Sequence, residues 1–121
     1  MTNLTDQRLF QLWEYHVSHG SLLIRSPNGP GIQNCIDIIF VGVEYIAMPR
    51  HLGAIELVDA APAETSMLEE VLQKSLVPPT RAWALIGPKG RFLVVGVAVK
   101  IEEHEGDMFQ SPFAGKSPRV G

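Results

Sequence analysis

Arg50 and His51 stand side by side just after a long apolar run. A guanidinium next to an imidazole can bind carboxylates and exchange protons, and loops at strand ends often carry binding side chains. Glu44 and Asp37, inside that run, are the nearest carboxylates. A solvated turn is the simpler reading of the pair. Glu44, Arg50 and His51 are therefore kept as candidate contacts for a ligand or partner, not as catalytic residues.

Other constellations are weaker. His16 and His19 are three apart, a spacing that serves a shared metal on a helix but points to opposite faces on a strand. No second ligand pair accompanies them, so surface histidines are expected. The run Glu102-Glu103-His104-Glu105-Gly106-Asp107 holds four of the thirteen carboxylates. It lacks the alternating ligands and central glycine of a calcium loop. It reads as a solvated strand end that discourages edge-to-edge pairing. Gly87-Pro88-Lys89-Gly90 lacks the spacing of a phosphate loop and reads as a β-turn. Ser18, His19 and Asp37 can be drawn as a nucleophilic triad, but no Gly-x-Ser-x-Gly elbow supports it. Cys35 has no neighbouring base and reads as a small buried hydrophobe. No cofactor or metal motif is present.

Phe109 and Phe113 are aromatic residues in a Pro-, Ser- and Gly-rich stretch. They either fold back on the domain or dock on a partner. Both are candidate contact residues.

The elements that position these groups follow from pattern. Two apolar runs, residues 36–46 and 92–101, each carry a central Val-Gly-Val and read as the two central strands. Asp37 and Glu44 are taken as exposed. They are seven apart, and one extra residue, a β-bulge at Gly42, would bring them to one face; the alternative is a strand buried on both sides with the acids at its ends. At Gly96 no such break follows, and close packing beneath Trp13 or Trp83 is expected. Residues 4–12 suggest a helical turn capped by Asn3 or Thr5, followed by a strand with Trp13, Tyr15 and Val17 on one face. Pro27-Asn28-Gly29-Pro30-Gly31 is a rigid turn. Residues 54–59 alternate as a strand.

One helix is expected. Ser66 and Glu69 have the spacing of a capping box, and Leu68, Val71, Leu72 and Leu76 form a stripe. Glu70 and Lys74 are spaced as an i,i+4 pair. Pro78-Pro79 bars continuation.

Short turns between strands and a single helix predict an α+β fold, predominantly antiparallel β. We expect about six strands in a curled sheet or small open barrel with one packed helix. Residues 1–107 form one domain and residues 108–121 a C-terminal tail. With 121 residues and 45% hydrophobic content, the chain is long and apolar enough for a core without disulfides. Its ten basic residues are scattered singly and its net charge is −3, which argues against nucleic acid and anionic membranes as partners. The first residues have neither the basic start nor the apolar stretch of a signal peptide, and a cytoplasmic location is expected.

The leading functional expectation is a non-catalytic protein-interaction or assembly module, of inhibitor or immunity type, acting on a protein partner or by self-association. A small-ligand domain with a pocket lined by Trp13, Tyr15 and Trp83 is the alternative. A small enzyme using Glu44, Arg50 and His51 or the residue 102–107 cluster is the third.

Overall fold

A computed structural model describes residues 2–3, 8–107 and 109–113 of the chain. In chain order it contains β1 (Thr2–Asn3), β2 (Phe10–His16), a 3-10 turn (Val17–His19), β3 (Ser21–Ser26), β4 (Cys35–Val41), β5 (Tyr45–Ala47), β6 (His51–Gly53), β7 (Glu56–Asp59), α1 (Pro62–Leu72), β8 (Arg81–Gly87), β9 (Gly90–Gly96) and β10 (Ala98–His104). All strand pairs are antiparallel. They form two five-stranded sheets, β1-β7-β8-β9-β5 and β10-β4-β3-β2-β6. The α+β, mainly antiparallel class is as expected. The strands divide between two sheets, instead of about six in one, and the sheets do not close into a barrel.

Period-two burial explains the layering. Leu22, Ile24, Ile38 and Phe40 from the second sheet meet Leu57, Trp83, Leu85 and Val94 from the first in one core between the sheets. The other face of each sheet is also covered. Leu68 of α1 packs on Ala84, Leu93 and Val95. Phe113 packs on Leu23 and Ile39. β3 is consequently buried at every position, which accounts for its unbroken apolar run.

The two Val-Gly-Val segments are the joints of this architecture. Neither apolar run is one strand. The first divides into β4 and β5 and the second into β9 and β10, in different sheets. On one side of the joint Val41 faces Ala98, and on the other Tyr45 faces Val95. Residues 42–44 thus oppose residues 96–97, one extra residue on the first run. The parity break expected at Gly42 is there, but it turns a corner between sheets instead of bulging within a strand. Gly42 has φ +65°, and a Cβ on it would lie 2.7 Å from Val97 Cγ2. A Cβ on Gly96 would lie 2.9 Å from the Val41 carbonyl oxygen. The close packing expected at Gly96 is therefore against the opposite corner, not against Trp13 or Trp83. The Val97 N–H donates to the Val41 carbonyl (2.9 Å) and the Glu44 N–H to the Val95 carbonyl (2.8 Å), locking the two corners together.

The helix starts earlier than its pattern suggests. Pro62 occupies the first turn, and Glu64, not Glu69, accepts the N–H of the capping residue Ala61 at 2.8 Å. Proline suits that position because its missing N–H has no intrahelical partner there. Glu69 instead accepts the Leu76 N–H at 2.8 Å beyond the helix end. Val71, expected in the buried stripe, is 54% exposed. Asn3 pairs with Glu56 in β1 and residues 4–7 lie outside the described residues, while residues 10–12, expected to end a helical turn, belong to strand β2. In β2 the register shifts between Leu12 and Glu14, so Trp13 is an extra residue and the simple alternation with Tyr15 fails. The turns at Pro27-Asn28-Gly29 and Gly87-Pro88-Lys89-Gly90 join hairpins as expected. Among the described residues no helix is long and apolar enough to cross a membrane.

Candidate functional site

The outer face of the second sheet gathers the chain's most unusual polar chemistry. Antiparallel register sets Arg25 of β3 directly opposite Asp37 of β4, and Asp37 opposite Glu102 of β10. The Arg25 Nε donates to Asp37 Oδ1 at 2.7 Å and Nη2 to Oδ2 at 2.9 Å, a two-pronged pair with both side chains 1% exposed. Asp37 is thus not the exposed acid its sequence context suggests. Residues 109–113 cross above the pair and bury it. The Arg25 Nη1 donates to the Gln110 carbonyl at 2.9 Å. The guanidinium also lies 5.6 Å from the Trp13 ring centroid. Burial disfavours the Arg25 charge, but the hydrogen bond and Coulombic attraction of Asp37 outweigh it, and its pKa is raised.

His104, at the end of β10, completes the cluster. Its Nε2 lies 3.0 Å from Asp37 Oδ2 and 3.4 Å from Arg25 Nη2. A carboxylate that orients an imidazole is the pairing a general base requires. Among the described residues, however, no hydroxyl or thiol hydrogen-bonds His104, and both Asp37 oxygens are already engaged. The geometry is that of a clamp joining β3, β4, β10 and the segment after it. Beside it opens a cleft of about 570 Å³, lined by Glu102, Glu103, His104, Gln110, Ser111 and Pro112 with the ion pair.

Two of the candidate contact residues come together on the other side of Trp13. Arg50 and Phe109 line a groove of about 540 Å³ with Leu12 and Trp13. The Phe109 and Trp13 ring centroids are 6.2 Å apart, and Phe109 is 71% exposed. The Leu12 N–H donates to the Arg50 carbonyl, which holds Arg50 at the groove wall. Among the described residues the Arg50 guanidinium has no hydrogen-bond or ion-pair partner.

The remaining candidates lie apart. Glu44 pairs with Lys74 at 2.6 Å, displacing the expected Glu70–Lys74 pair. His51 is exposed on the edge strand β6, and its carbonyl accepts from Lys89 Nζ at 2.9 Å. Phe113 is a plug, 7% exposed, against Leu23 and Ile39 and 6.1 Å from the His16 ring. The His16 and His19 rings stack at 4.7 Å. β2 ends at His16 and the 3-10 turn folds His19 back over it, so the two are not on opposite faces. Trp13 lies on the outer face, Trp83 in the inter-sheet core, and Tyr15 is 40% exposed. The three aromatic rings do not line one pocket.

Arg25 is the member of this cluster that sequence reasoning missed, and His104 was noted only within the run 102–107, read as a solvated strand end. A signal was present. Arg25 directly continues the apolar Leu22-Leu23-Ile24, and Asp37 sits between Ile36 and Ile38, so each is a charge embedded in a strand. Their mutual register was not visible. Comparison with known proteins finds no matching family model, no similar curated protein and no similar solved structure.

Proposed function

We propose that this chain is a non-catalytic protein-interaction module that grips its partner in the groove formed by Leu12, Trp13, Arg50 and Phe109. The observation that carries this reading is a guanidinium, unpaired among the described residues, beside an aromatic ring left 71% exposed. Aromatic and arginine side chains supply most of the energy at protein interfaces, where they anchor in desolvated pockets. An exposed phenylalanine seated on a tryptophan has no folding role that requires its outer face to stay in water. The charge at the groove wall is positive, so the segment that fills it carries an apolar side chain next to a carboxylate.

Selection of a displayed random peptide library on the wild-type protein tests this. Selected peptides are expected to combine an aromatic or aliphatic residue with an acidic one. Their affinity is expected to fall more than about tenfold on Phe109→Ala and on Arg50→Glu, in line with hot-spot truncations. Selected peptides that bind both variants as well as wild type would remove the groove as the site.

The cleft of about 570 Å³ beside Asp37 and His104 supports a second reading, a site for a small polar molecule. Ligand-observed NMR against a mixture of polar small molecules separates the two. Binding in the cleft is lost on His104→Ala and is indifferent to Phe109→Ala.

A further inference from the structure

We infer that β10 is a self-pairing edge, through which two copies of this chain associate as an antiparallel dimer centred on Ile101. Among the described residues β10 ends its sheet, and it has seven residues against two in β1 and three each in β5 and β6, the other edge strands. It is exposed along most of its length, and Ile101 is 38% exposed. Such an edge presents unpaired N–H and C=O groups to any strand that can lie beside it.

Charge on an edge strand normally prevents this. The order of charges on β10 does the opposite. A two-fold axis perpendicular to the sheet keeps like faces together, so the axis passes through a residue that faces itself. Centred on Ile101, the pairing sets Lys100 of each copy opposite Glu102 of the other. Val99 then faces Glu103, and Ala98 faces His104, so all seven residues overlap. Centred one residue either way, it sets Lys100 against Lys100 or Glu102 against Glu102, and like charges directly opposite are destabilising. The charge pattern thus permits self-pairing and selects its register. Within one copy Lys100 Nζ already lies 3.2 Å from Glu102, so the exchange to cross-strand pairs costs little rearrangement. The net charge of −3 on each copy resists association, but salt at physiological strength screens it over about 8 Å.

The dimer would join two five-stranded sheets into one continuous sheet, and Lys100 of the second copy would reach the Glu102 rim of the cleft beside Asp37. One strand pair is a small interface, so the expected dissociation constant is weak, on the order of 10 to 100 µM.

Sedimentation velocity on the full chain, from micromolar to millimolar concentration, tests the inference. Wild type is expected to shift from monomer to dimer. Lys100→Glu and Glu102→Lys each set like charges opposite and are expected to remain monomeric. The double charge swap restores opposite pairs and is expected to restore the dimer. Both positions are exposed, and circular dichroism checks that each variant is folded. A wild type that stays monomeric throughout overturns the inference. So does a dimer indifferent to the single reversals, or one that the double swap fails to recover.

Discussion

Substitution of Asp37 by leucine probes the buried ion pair of the second sheet. The carboxylate takes two hydrogen bonds from Arg25, at 2.7 and 2.9 Å, and lies 3.0 Å from His104. In Asp37→Leu the Arg25 charge remains, 1% exposed, with Nη1 still donating to Gln110 but Nε and Nη2 without their carboxylate. Removing one partner of a buried ion pair costs about 3–5 kcal/mol, because the other charge stays buried and uncompensated. Against a total stability of about 5–15 kcal/mol for a domain, that is a large fraction. At roughly 4 °C per kcal/mol for a chain of this size, the melting temperature should fall by about 12–20 °C. Replacing both partners, Arg25→Met with Asp37→Leu, removes the buried charge and is expected to recover most of the loss. Urea denaturation of the four proteins of this cycle measures the coupling, with unchanged m-values confirming that one transition is compared. A cost below about 1 kcal/mol for Asp37→Leu, or a double variant no more stable than the single, would refute the assignment of this pair as a desolvated clamp.

Gly96→Ala would bring a Cβ within 2.9 Å of the Val41 carbonyl, and backbone cannot yield as a side chain can. A loss of about 2–3 kcal/mol in chemical denaturation is expected, and a near-neutral result would mean that the corners are not in tight contact. The Arg91 guanidinium holds the Glu64 carboxyl down at about 2, with burial opposing and the Ala61 N–H assisting. A depressed folded-state pKa gives stability that is present above the usual carboxylate value and lost as pH falls from about 4.5 toward 2. Glu64→Gln should therefore cost about 1 kcal/mol at neutral pH, discounted for partial exposure, and flatten the pH dependence of melting over that window. Phe113→Ala should cost about 2–4 kcal/mol by opening the face over Leu23 and Ile39, whereas Phe109→Ala should leave the melting temperature almost unchanged. Equal effects of the two on melting would contradict the distinction between plug and exposed anchor.

Much of the fold was legible in order and period. The turn chemistry at Gly87-Pro88-Lys89-Gly90 marks a hairpin whatever surrounds it, since it depends on neighbours in sequence, whereas the alternation along residues 92–101 concealed the break into β9 and β10 and the exposure of Val97 and Ile101. An extra residue does stand near Gly42, but the parity argument that called for it took Asp37 as exposed, and Asp37 is buried. That the extra residue turns a corner was not legible, because a bulge and a sheet-to-sheet joint share one local signature, positive φ at glycine. The helix start was misjudged for a comparable reason. Ser66 and Glu69 have capping-box spacing, but Pro62 and Glu64 supply a start one turn earlier, and packing of Leu68 on Ala84 and Leu93 favours the longer helix.

The candidate site was legible only in pieces. Arg50 and Phe109 stood out as polar and aromatic residues in segments expected to be exposed, and they share a groove. Nothing in the chain indicated that Trp13 lies between them and Arg25, since these side chains come from residues far apart in sequence.

The sequence by itself determined the strand-rich antiparallel class, the turns and the presence of a helix near residues 66–72, because each depends on spacing within one or two turns of chain. Only the tertiary structure decided which face each strand buries and which charges meet. Asp37 looked exposed when weighed as one acid beside isoleucines. Arg25 from the next strand and the segment carrying Gln110 and Phe113 make it one of the most buried groups in the protein. Register between strands sets that pairing, and register is a property of the assembled sheet, not of any one segment.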